Sequence, residues 1–164
     1  MASSTGGENN ANATIISGSV PNTAAGSDFV YLNAKFGELN PIFDSGIGGL
    51  TVANAIHKAL PNEHLIYFGD TAHLPYGDKS ADAIRFFSLK ISKFLLDQNC
   101  KMIVIACNTA SSAAYNTLLD FFDGKALFVN VVDPLVSAVV SKGYADIGVI
   151  ATKATIRSNI YRDK

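Results

Sequence analysis

Short apolar segments alternate with longer amphipathic segments from Asn40 onward, and this alternation restricts the possible folds more than any other feature of the chain. The apolar segments have the length of strands, whereas the amphipathic ones repeat with the period of a helix. The segment Met102–Ala106 is apolar throughout, as expected of a strand with helices on both faces. Strands and helices that alternate along a chain form parallel sheets through right-handed crossovers. The sequence therefore predicts an α/β fold with an open, mainly parallel sheet and flanking helices.

The same pattern predicts the individual elements. Strands are expected at 41–43, 64–68, 102–106, 127–132 and 147–150, and helices at 50–60, 80–99, 110–122, 135–142 and from about 155. Asp78 or Ser80 is expected to cap the long second helix. Pro41 cannot donate a hydrogen bond to a neighbouring strand, so the first strand should begin there or be weakly paired.

The first 38 residues differ in composition from the rest of the chain. They are rich in Ser, Thr, Asn, Gly and Ala and show no helical period. Such a segment buries too little apolar surface to offset its chain entropy, so we expect a disordered extension, in which Phe29–Leu32 could form a stray strand. The expected domains are this extension at 1–38, a first α/β domain at 39–132 that is incomplete without a C-terminal half, and the start of a second α/β domain at 133–164.

Composition and charge argue against several classes of function. The net charge is -1 and Lys and Arg are not clustered, so no nucleic-acid or anionic membrane partner is expected. No apolar run approaches the roughly 20 residues of a membrane-spanning helix, and no secretory signal is visible. Cys100 and Cys107 flank one predicted strand at about 23 Å, too far apart for a disulfide. A reduced, cytoplasmic protein is expected, and the two cysteines and three histidines show no metal-ligand spacing.

Small, polar or ionisable residues follow every predicted strand. Because ligands bind beyond the carboxyl ends of parallel strands, these residues predict a binding site. They occur at 44–49, 69–77, 107–109 and 133–134, and at Thr152 and Thr155. The glycine-rich turn Ser45–Gly49 could simply reverse the chain, or its backbone N–H groups could bind a carboxylate or phosphate. Its spacing matches neither common nucleotide-binding loop.

Cys107 is the leading catalytic candidate. A cysteine in a core strand is commonly an inert small hydrophobe, but here Asn108 and Thr109 follow directly and a helix begins next. The positive end of that helix should lower the pKa of the Cys107 thiol. Thr109 is expected to cap the helix and to offer a hydroxyl to a ligand.

Three further residues near the same edge allow more than one interpretation. Asp44 could be a turn former, or it could act near the thiol or near a substrate ammonium group. Pro75, Tyr76 and Gly77 could merely form a turn, and Tyr76 would then project from a rigid loop, where it could contact a ligand. His73 lies in the same loop without an identified partner, and no catalytic role is expected for it.

Four ordered motifs resemble those of bacterial glutamate racemases: FDSGIGGLTV, YFGDTAHLPYG, IVIACNTASSAA and IGVIATKATIRSNIY. The resemblance implies interconversion of L- and D-glutamate without cofactor or metal, which supplies D-glutamate for peptidoglycan. One thiol would remove the α-proton and a second would return one. Cys107 corresponds to the first thiol, and the substrate-binding positions correspond to Asp44, Ser45, Tyr76, Gly77, Asn108, Thr109, Thr152 and Thr155.

The resemblance also implies what this stretch would need from elsewhere. The family's second cysteine, in a Cys-Thr-His motif, is expected beyond Lys164, and Cys100 lies at the wrong end of its strand to replace it. We therefore expect negligible racemase activity from the chain alone, and a homodimer is an option for the full-length protein.

Three other interpretations stay open at this point. The chain could belong to another member of the superfamily, such as an aspartate or hydantoin racemase or a decarboxylase. Cys107 could instead be the nucleophile of an acyl-transfer hydrolase, which requires a histidine within hydrogen-bond reach. A non-catalytic interaction fragment is the third option.

Overall fold

The computed structural model describes residues 39–164 and, before them, the backbone of two short strands at 13–16 and 28–32. One sheet contains the strands β1 (Ala13–Ile16), β2 (Asp28–Leu32), β3 (Leu39–Asp44), β4 (His64–Gly69), β5 (Met102–Ile105) and β6 (Leu127–Asn130). Their order is β1-β2-β4-β3-β5-β6. The last four strands are parallel to one another, whereas β1 and β2 add to the β4 edge in antiparallel orientation. The predicted open, mainly parallel α/β sheet is confirmed.

Helices cover both faces of the sheet. The described residues form α1 (Leu50–Ala59), α2 (Ala81–Leu96), α3 (Asn108–Phe121), α4 (Val132–Val140) and α5 (Lys153–Arg157), with two short 3₁₀ turns at Thr71–His73 and Tyr76–Asp78. Phe43 and Ile105 pack with α2 and α3 in the larger apolar cluster. Ile42 and Val104, which point to the opposite face, pack with α1 in a smaller one. No helix within the described ranges is long and apolar enough to cross a membrane.

The start of α2 shows how the sequence sets a helix boundary. The Ser80 hydroxyl oxygen accepts a hydrogen bond from the Ala83 N–H at 3.2 Å. Of the two predicted candidates, Asp78 and Ser80, it is therefore Ser80 that caps the helix. Ile84, Ile91 and Leu95 recur at helical spacing and are buried. The helix is followed by Asn99 in the left-handed region, with φ of 57°.

Pro41 lies inside β3 and not at its start. β3 pairs with β4 over its whole length, but its paired residues on β5 are only Ile42 and Phe43, apart from an isolated bridge between Leu39 and Cys100. The missing proline N–H therefore coincides with a gap in the β3–β5 pairing. The strand begins earlier than predicted, and the prediction of weak pairing holds on the β5 side.

The predicted strand at 147–150 is not formed. This segment has no regular structure, and Ile147, Val149 and Ile150 are exposed. An apolar pattern predicts that a segment is able to pair, but a strand also requires a neighbour. Within the described residues β6 ends the sheet on this side.

Helix α4 begins three residues before its predicted start. The Asn130 side-chain oxygen accepts hydrogen bonds from the N–H groups of Val132 and Asp133 at 2.9 and 2.8 Å. An asparagine that satisfies the first free N–H groups in this way starts a helix at once. Strand β6 accordingly ends at Asn130, and the predicted strand at 127–132 was too long.

The expectation of a disordered extension falls mostly outside the described residues. Within residues 1–38, only the two strands at 13–16 and 28–32 are described. The second strand contains the segment Phe29–Leu32, where the sequence suggested a stray strand, and it pairs with β4 over Leu65–Gly69. The strand at 13–16 pairs with this second strand and was not predicted.

Candidate active site

Asp44 ends β3 and organises the turn that follows. Its side chain is buried, and Oδ2 accepts hydrogen bonds from the N–H groups of Gly46 and Gly49 at 3.2 and 3.0 Å. The Tyr67 hydroxyl lies 3.3 Å from the same oxygen and donates to the Gly46 carbonyl at 2.8 Å. Asp44 is thus a turn former, which is one of its two interpretations, and its charge also lies close enough to Cys107 to raise the pKa of that thiol. The N–H groups of Gly46 and Gly49 are already used, so the turn does not offer these two groups to an anion.

The turn needs glycine where it passes beside the strand. A Cβ atom at Gly49 would lie 2.7 Å from the Asp44 Cβ and 2.8 Å from the Ala106 Cβ, distances that real Cβ atoms do not tolerate. The absence of a side chain allows the start of α1 to approach the ends of β3 and β5 closely.

Cys107 connects the end of β5 to α3 and faces this turn. Its sulfur lies 3.5 Å from the Ser45 Oγ, and the Ala110 N–H donates to the sulfur at 3.4 Å. Cys107 itself is therefore the cap of α3, and the prediction that Thr109 caps the helix was wrong. The predicted boundary lay two residues too late because a sulfur atom is a less common cap than a hydroxyl.

The prediction of a lowered thiol pKa was also wrong for this structure. Cys107 is only 5% exposed, and burial raises the pKa of its thiol above the ordinary value. Hydrogen bonds from Ser45 and from the Ala110 N–H act in the opposite direction but do not outweigh the burial. Loss of solvation disfavours the charged thiolate, and a sequence pattern does not indicate how deeply a residue is buried.

Three threonine hydroxyls meet beside the first turn of α3. The Oγ1 atoms of Thr109 and Thr152 are 2.9 Å apart, and those of Thr152 and Thr155 are 3.1 Å apart. Gly77 packs directly on this cluster, because a Cβ atom there would lie 2.8 Å from the Cβ of Thr152. The structure therefore brings together four of the residues that the resemblance suggested, and one of them, Thr109, follows Cys107 by two positions in α3.

Asn108 has an unpredicted partner. Its side-chain nitrogen donates to the Tyr161 hydroxyl at 2.7 Å, whereas its side-chain oxygen is buried without a hydrogen-bond partner among the described residues. Tyr161 is the last residue of the fourth motif, which also contains Thr152 and Thr155. Its hydroxyl and its place in that motif could have marked it as a site residue from the sequence.

Tyr76 does not project towards a ligand as predicted. It is 2% exposed, packs in the larger apolar cluster, and donates its hydroxyl to Asp70 Oδ2 at 2.6 Å. His73 also has a partner that the sequence did not reveal, since its Nδ1 lies 2.7 Å from Asp70 Oδ1. Asp70 lies in the polar segment 69–77 that was predicted to contribute to the site, but it was not singled out, although it directly follows β4.

The neighbourhood of Cys107 suits proton transfer better than acyl transfer. Its sulfur is hydrogen-bonded to Ser45 and Ala110, and no histidine among the described residues is bonded to it. A thiol nucleophile of the acyl-transfer type needs such a base. No group of three or more potential metal ligands occurs in the described ranges. The geometry provides a buried thiol, a hydroxyl in contact with it and a neighbouring hydroxyl cluster.

Comparison with known proteins shows what the chain is similar to. No protein-family model matches the chain. The glutamate racemase of Corynebacterium diphtheriae is 50% identical over 122 residues, which are 74% of this chain and 46% of the relative. The glutamate racemase of Thermus thermophilus is 47% identical over 120 residues, or 73% and 45% of the two chains. The chain is homologous to the N-terminal portion of glutamate racemases. It spans about half the length of the curated relatives it matches.

Solved structures of glutamate racemases share the fold. The Thermus thermophilus enzyme in complex with β-chloro-D-alanine has a TM-score of 0.71 and 44% identity over 77% of this chain and 48% of that chain. The Francisella tularensis enzyme in complex with D-glutamate has a TM-score of 0.71 and 44% identity over 76% of this chain and 46% of that chain. The Aquifex pyrophilus glutamate racemase has a TM-score of 0.72 and 40% identity over 76% of this chain and 49% of that chain. The resemblance drawn from four motifs is therefore confirmed.

Proposed function

We propose that this chain forms one side of a glutamate racemase site, in which Cys107 exchanges a proton with the α-carbon of glutamate. The observation that carries the proposal is the position of the Cys107 sulfur, 3.5 Å from the Ser45 hydroxyl oxygen at the carboxyl edge of a parallel sheet. The homologous Francisella tularensis enzyme was solved with D-glutamate, which supports glutamate as the substrate. The product would supply D-glutamate for peptidoglycan, without cofactor or metal.

The chemistry requires a strong base beside a weak acid. An amino-acid α-proton is weakly acidic, and a base of raised pKa accepts such a proton more readily once it is ionised. Burial raises the pKa of the Cys107 thiol, so its thiolate is a stronger base than a solvated one. The substrate ammonium would bring a positive charge next to the sulfur, which favours the thiolate when glutamate is bound.

The hydroxyls would stabilise the charge that develops as the proton leaves. When the α-proton moves to the Cys107 sulfur, the bonding electrons delocalise into the substrate carboxylate. The hydroxyls of Thr109, Thr152 and Thr155 lie within 3.5 Å of one another and can donate to such a group. A second acid would then deliver a proton to the opposite face, and we assign it to the half of the family's sequence that this chain does not match.

The proposal includes the cellular setting of the whole enzyme. It would act on a small molecule in the cytoplasm, without nucleic acid or membrane, and a homodimer is the oligomeric state we propose for the full-length protein. Aspartate racemase, hydantoin racemase and decarboxylase activities are the alternatives within the superfamily, and a panel of substrates separates them from glutamate racemisation.

A chimeric enzyme tests the function directly. Residues 41–164 would be joined to the C-terminal part of the Thermus thermophilus enzyme that this chain does not match. Circular dichroism would then monitor the racemisation of D-glutamate. We expect turnover by the chimera, none by its Cys107→Ser variant, and none by the 164-residue chain alone. A folded chimera that binds D-glutamate but does not racemise it would contradict the proposal. So would trapping of a thioester on Cys107 with an acyl substrate.

A further inference from the structure

Asp70 is a buried carboxylate that the proposed proton transfer does not use. It is 2% exposed, and both of its oxygens are engaged: Oδ2 accepts from the Tyr76 hydroxyl at 2.6 Å, and the His73 Nδ1 lies 2.7 Å from Oδ1 and 2.9 Å from Oδ2. Burial, followed by the hydrogen bond to Asp70, raises the pKa of Tyr76, so its hydroxyl stays protonated and donates. Asp70 therefore holds two side chains of the loop that follows β4.

The backbone of Asp70 connects this loop to the neighbouring turn. Its N–H donates to the Asp44 carbonyl at 2.9 Å, so the ends of β3 and β4 are tied together. The His73 ring stacks on Phe87 of α2 with centroids 4.0 Å apart, and the Lys79 N–H donates to the Tyr76 carbonyl at 3.0 Å. The loop is thus fixed from the sheet, from α2 and from within.

The residue after Tyr76 touches the hydroxyl cluster. A Cβ atom at Gly77 would lie 2.8 Å from both the Cβ and the Cγ2 of Thr152, so the Gly77 backbone is packed against that side chain. Thr152 in turn places its hydroxyl 2.9 Å from that of Thr109. The position of Gly77 is therefore coupled to the position of the hydroxyl cluster through direct contact.

We propose that Asp70 is a positioning residue, which holds Tyr76 so that Gly77 presses on Thr152 and the threonine hydroxyls are aligned for a carboxylate group of the substrate. The inference rests on the proposed function for the identity of that substrate, and on geometry alone for the placement of the loop. Asp70 does not contact the reacting atoms in this role, and it acts through the Tyr76 hydroxyl.

The energetic cost of burying a carboxylate favours a role for Asp70 in positioning the loop over a role in stabilising the fold alone. A buried charge loses its solvation, and replacement of a buried charged group with its partners by apolar residues is often neutral or stabilising. Two hydrogen-bonded partners on one carboxylate fix a direction that apolar packing would not fix, because hydrophobic contacts are non-directional.

The first test measures the loop without any ligand. Asp70→Asn and Tyr76→Phe would be made in the 164-residue protein. NMR would record the backbone amide shifts and the hydrogen exchange of Gly77, Lys79, Thr109 and Thr152. We expect both variants to perturb these amides and not those of helix α4, and to increase exchange at Lys79 about tenfold, because a hydrogen bond of the loop is weakened. Asp82→Asn is the matched control, because Asp82 is exposed and pairs with Arg85 on the surface. Unchanged amides at Gly77 and Thr152 in both variants would overturn the proposal.

Non-additivity separates positioning from general loss of stability. If Asp70 acts through Tyr76, adding Asp70→Asn to Tyr76→Phe should change the Gly77 and Thr152 amides little further. Gly77→Ala should perturb Thr152 and Thr109 in the same way while the Asp70 contacts remain. If Asp70→Asn fails to fold, Tyr76→Phe and Gly77→Ala still decide the question. Additive effects of Asp70→Asn and Tyr76→Phe would contradict the proposed route through Tyr76.

Glutamate binding is the second readout. In titrations of the chimeric enzyme and its variants with D-glutamate, we expect Asp70→Asn and Tyr76→Phe to weaken the affinity about tenfold and Asp82→Asn to leave it unchanged. A chimera without these substitutions that is folded but shows no binding would count against the proposed function, while the ligand-free amides still decide the positioning role. Binding that is equally tight in wild type and in both folded variants would overturn the positioning role and leave the function intact.

Discussion

The sulfur of Cys107 lies 3.5 Å from the hydroxyl oxygen of Ser45, although 62 positions separate the two residues in sequence. Adjacent parallel strands bring them together, since β3 and β5 pair Phe43 with Ile105 and the two residues follow shortly after those positions. Burial raises the pKa of the Cys107 thiol, and the contact with Ser45 opposes the rise. The Ser45 hydroxyl is therefore one of the groups that favour the thiolate form of the candidate base against its burial.

Replacing Ser45 should move the ionisation of Cys107. In Ser45→Ala the hydrogen bond that lowers the pKa of the Cys107 thiol is lost, whereas the burial that raises it remains. We expect the rate of alkylation by iodoacetamide to rise at higher pH than in the wild type, because only the thiolate reacts. Both proteins would carry Cys100→Ser so that one thiol is observed. A profile that stays in place or moves to lower pH would show that Ser45 does not stabilise the thiolate.

Cys107→Ser should abolish the proton transfer in the chimeric enzyme. A hydroxyl is a far weaker acid than a thiol, and a positioned acid/base group contributes about 10²–10⁴-fold to a rate. We expect the loss of racemisation to fall in that range or beyond it, while the fold measured by circular dichroism is retained. Cys100→Ser is the control, since Cys100 lies at the opposite end of β5, beside Leu39. Equal losses in the two variants would remove Cys107 from the mechanism.

Gly49→Ala should destabilise the protein through a local clash. The added Cβ would meet the Cβ atoms of Asp44 and Ala106 at 2.7 and 2.8 Å, and none of these atoms can rotate away. Overpacking of this kind costs about 1–3 kcal/mol in the free energy of unfolding, which urea denaturation measures. Gly148→Ala is the control, because no atom lies within 4 Å of a Cβ at that position. Equal stability of the two variants would mean that the turn relaxes freely.

Ser80→Ala should weaken the start of α2. The Ser80 Oγ accepts from the Ala83 N–H at 3.2 Å, and loss of such a cap costs about 1 kcal/mol. Thermal and urea unfolding would report the change. Ser80→Asp retains a side-chain acceptor at the same position and should keep most of the stability. If alanine and aspartate have the same effect, the hydrogen bond does not contribute.

The sequence predicted the framework of the site better than its details. Hydrophobic periodicity identified the parallel sheet, and the polar residues after β3 and β5 do meet, as Ser45 and Cys107 show. The orientation of Tyr76 was not predictable. The Pro-Tyr-Gly pattern indicates a turn, but it does not indicate that the buried Asp70 carboxylate accepts a hydrogen bond from the tyrosine hydroxyl. The raised pKa of Cys107 likewise depends on burial by residues distant in sequence.

Local patterns also failed where a second element decides the outcome. The segment at 147–150 has a strand-like composition but no described neighbour to pair with. The cap of α3 was misplaced because Thr109 is a stronger capping residue by type, whereas the backbone places the Cys107 sulfur at the free Ala110 N–H. Such choices depend on tertiary geometry, which residue preferences describe only on average.

Tyr67 belongs to two parts of the molecule at once. Its ring is buried with Ile42, Leu65 and Val104 under the sheet, while its hydroxyl reaches Asp44 and the Gly46 carbonyl in the turn. A core substitution that shifts the ring would displace the hydroxyl as well, so Ser45 would move with it. A substitution among these apolar residues would thus reach the turn beside Cys107 without changing any residue of the turn itself.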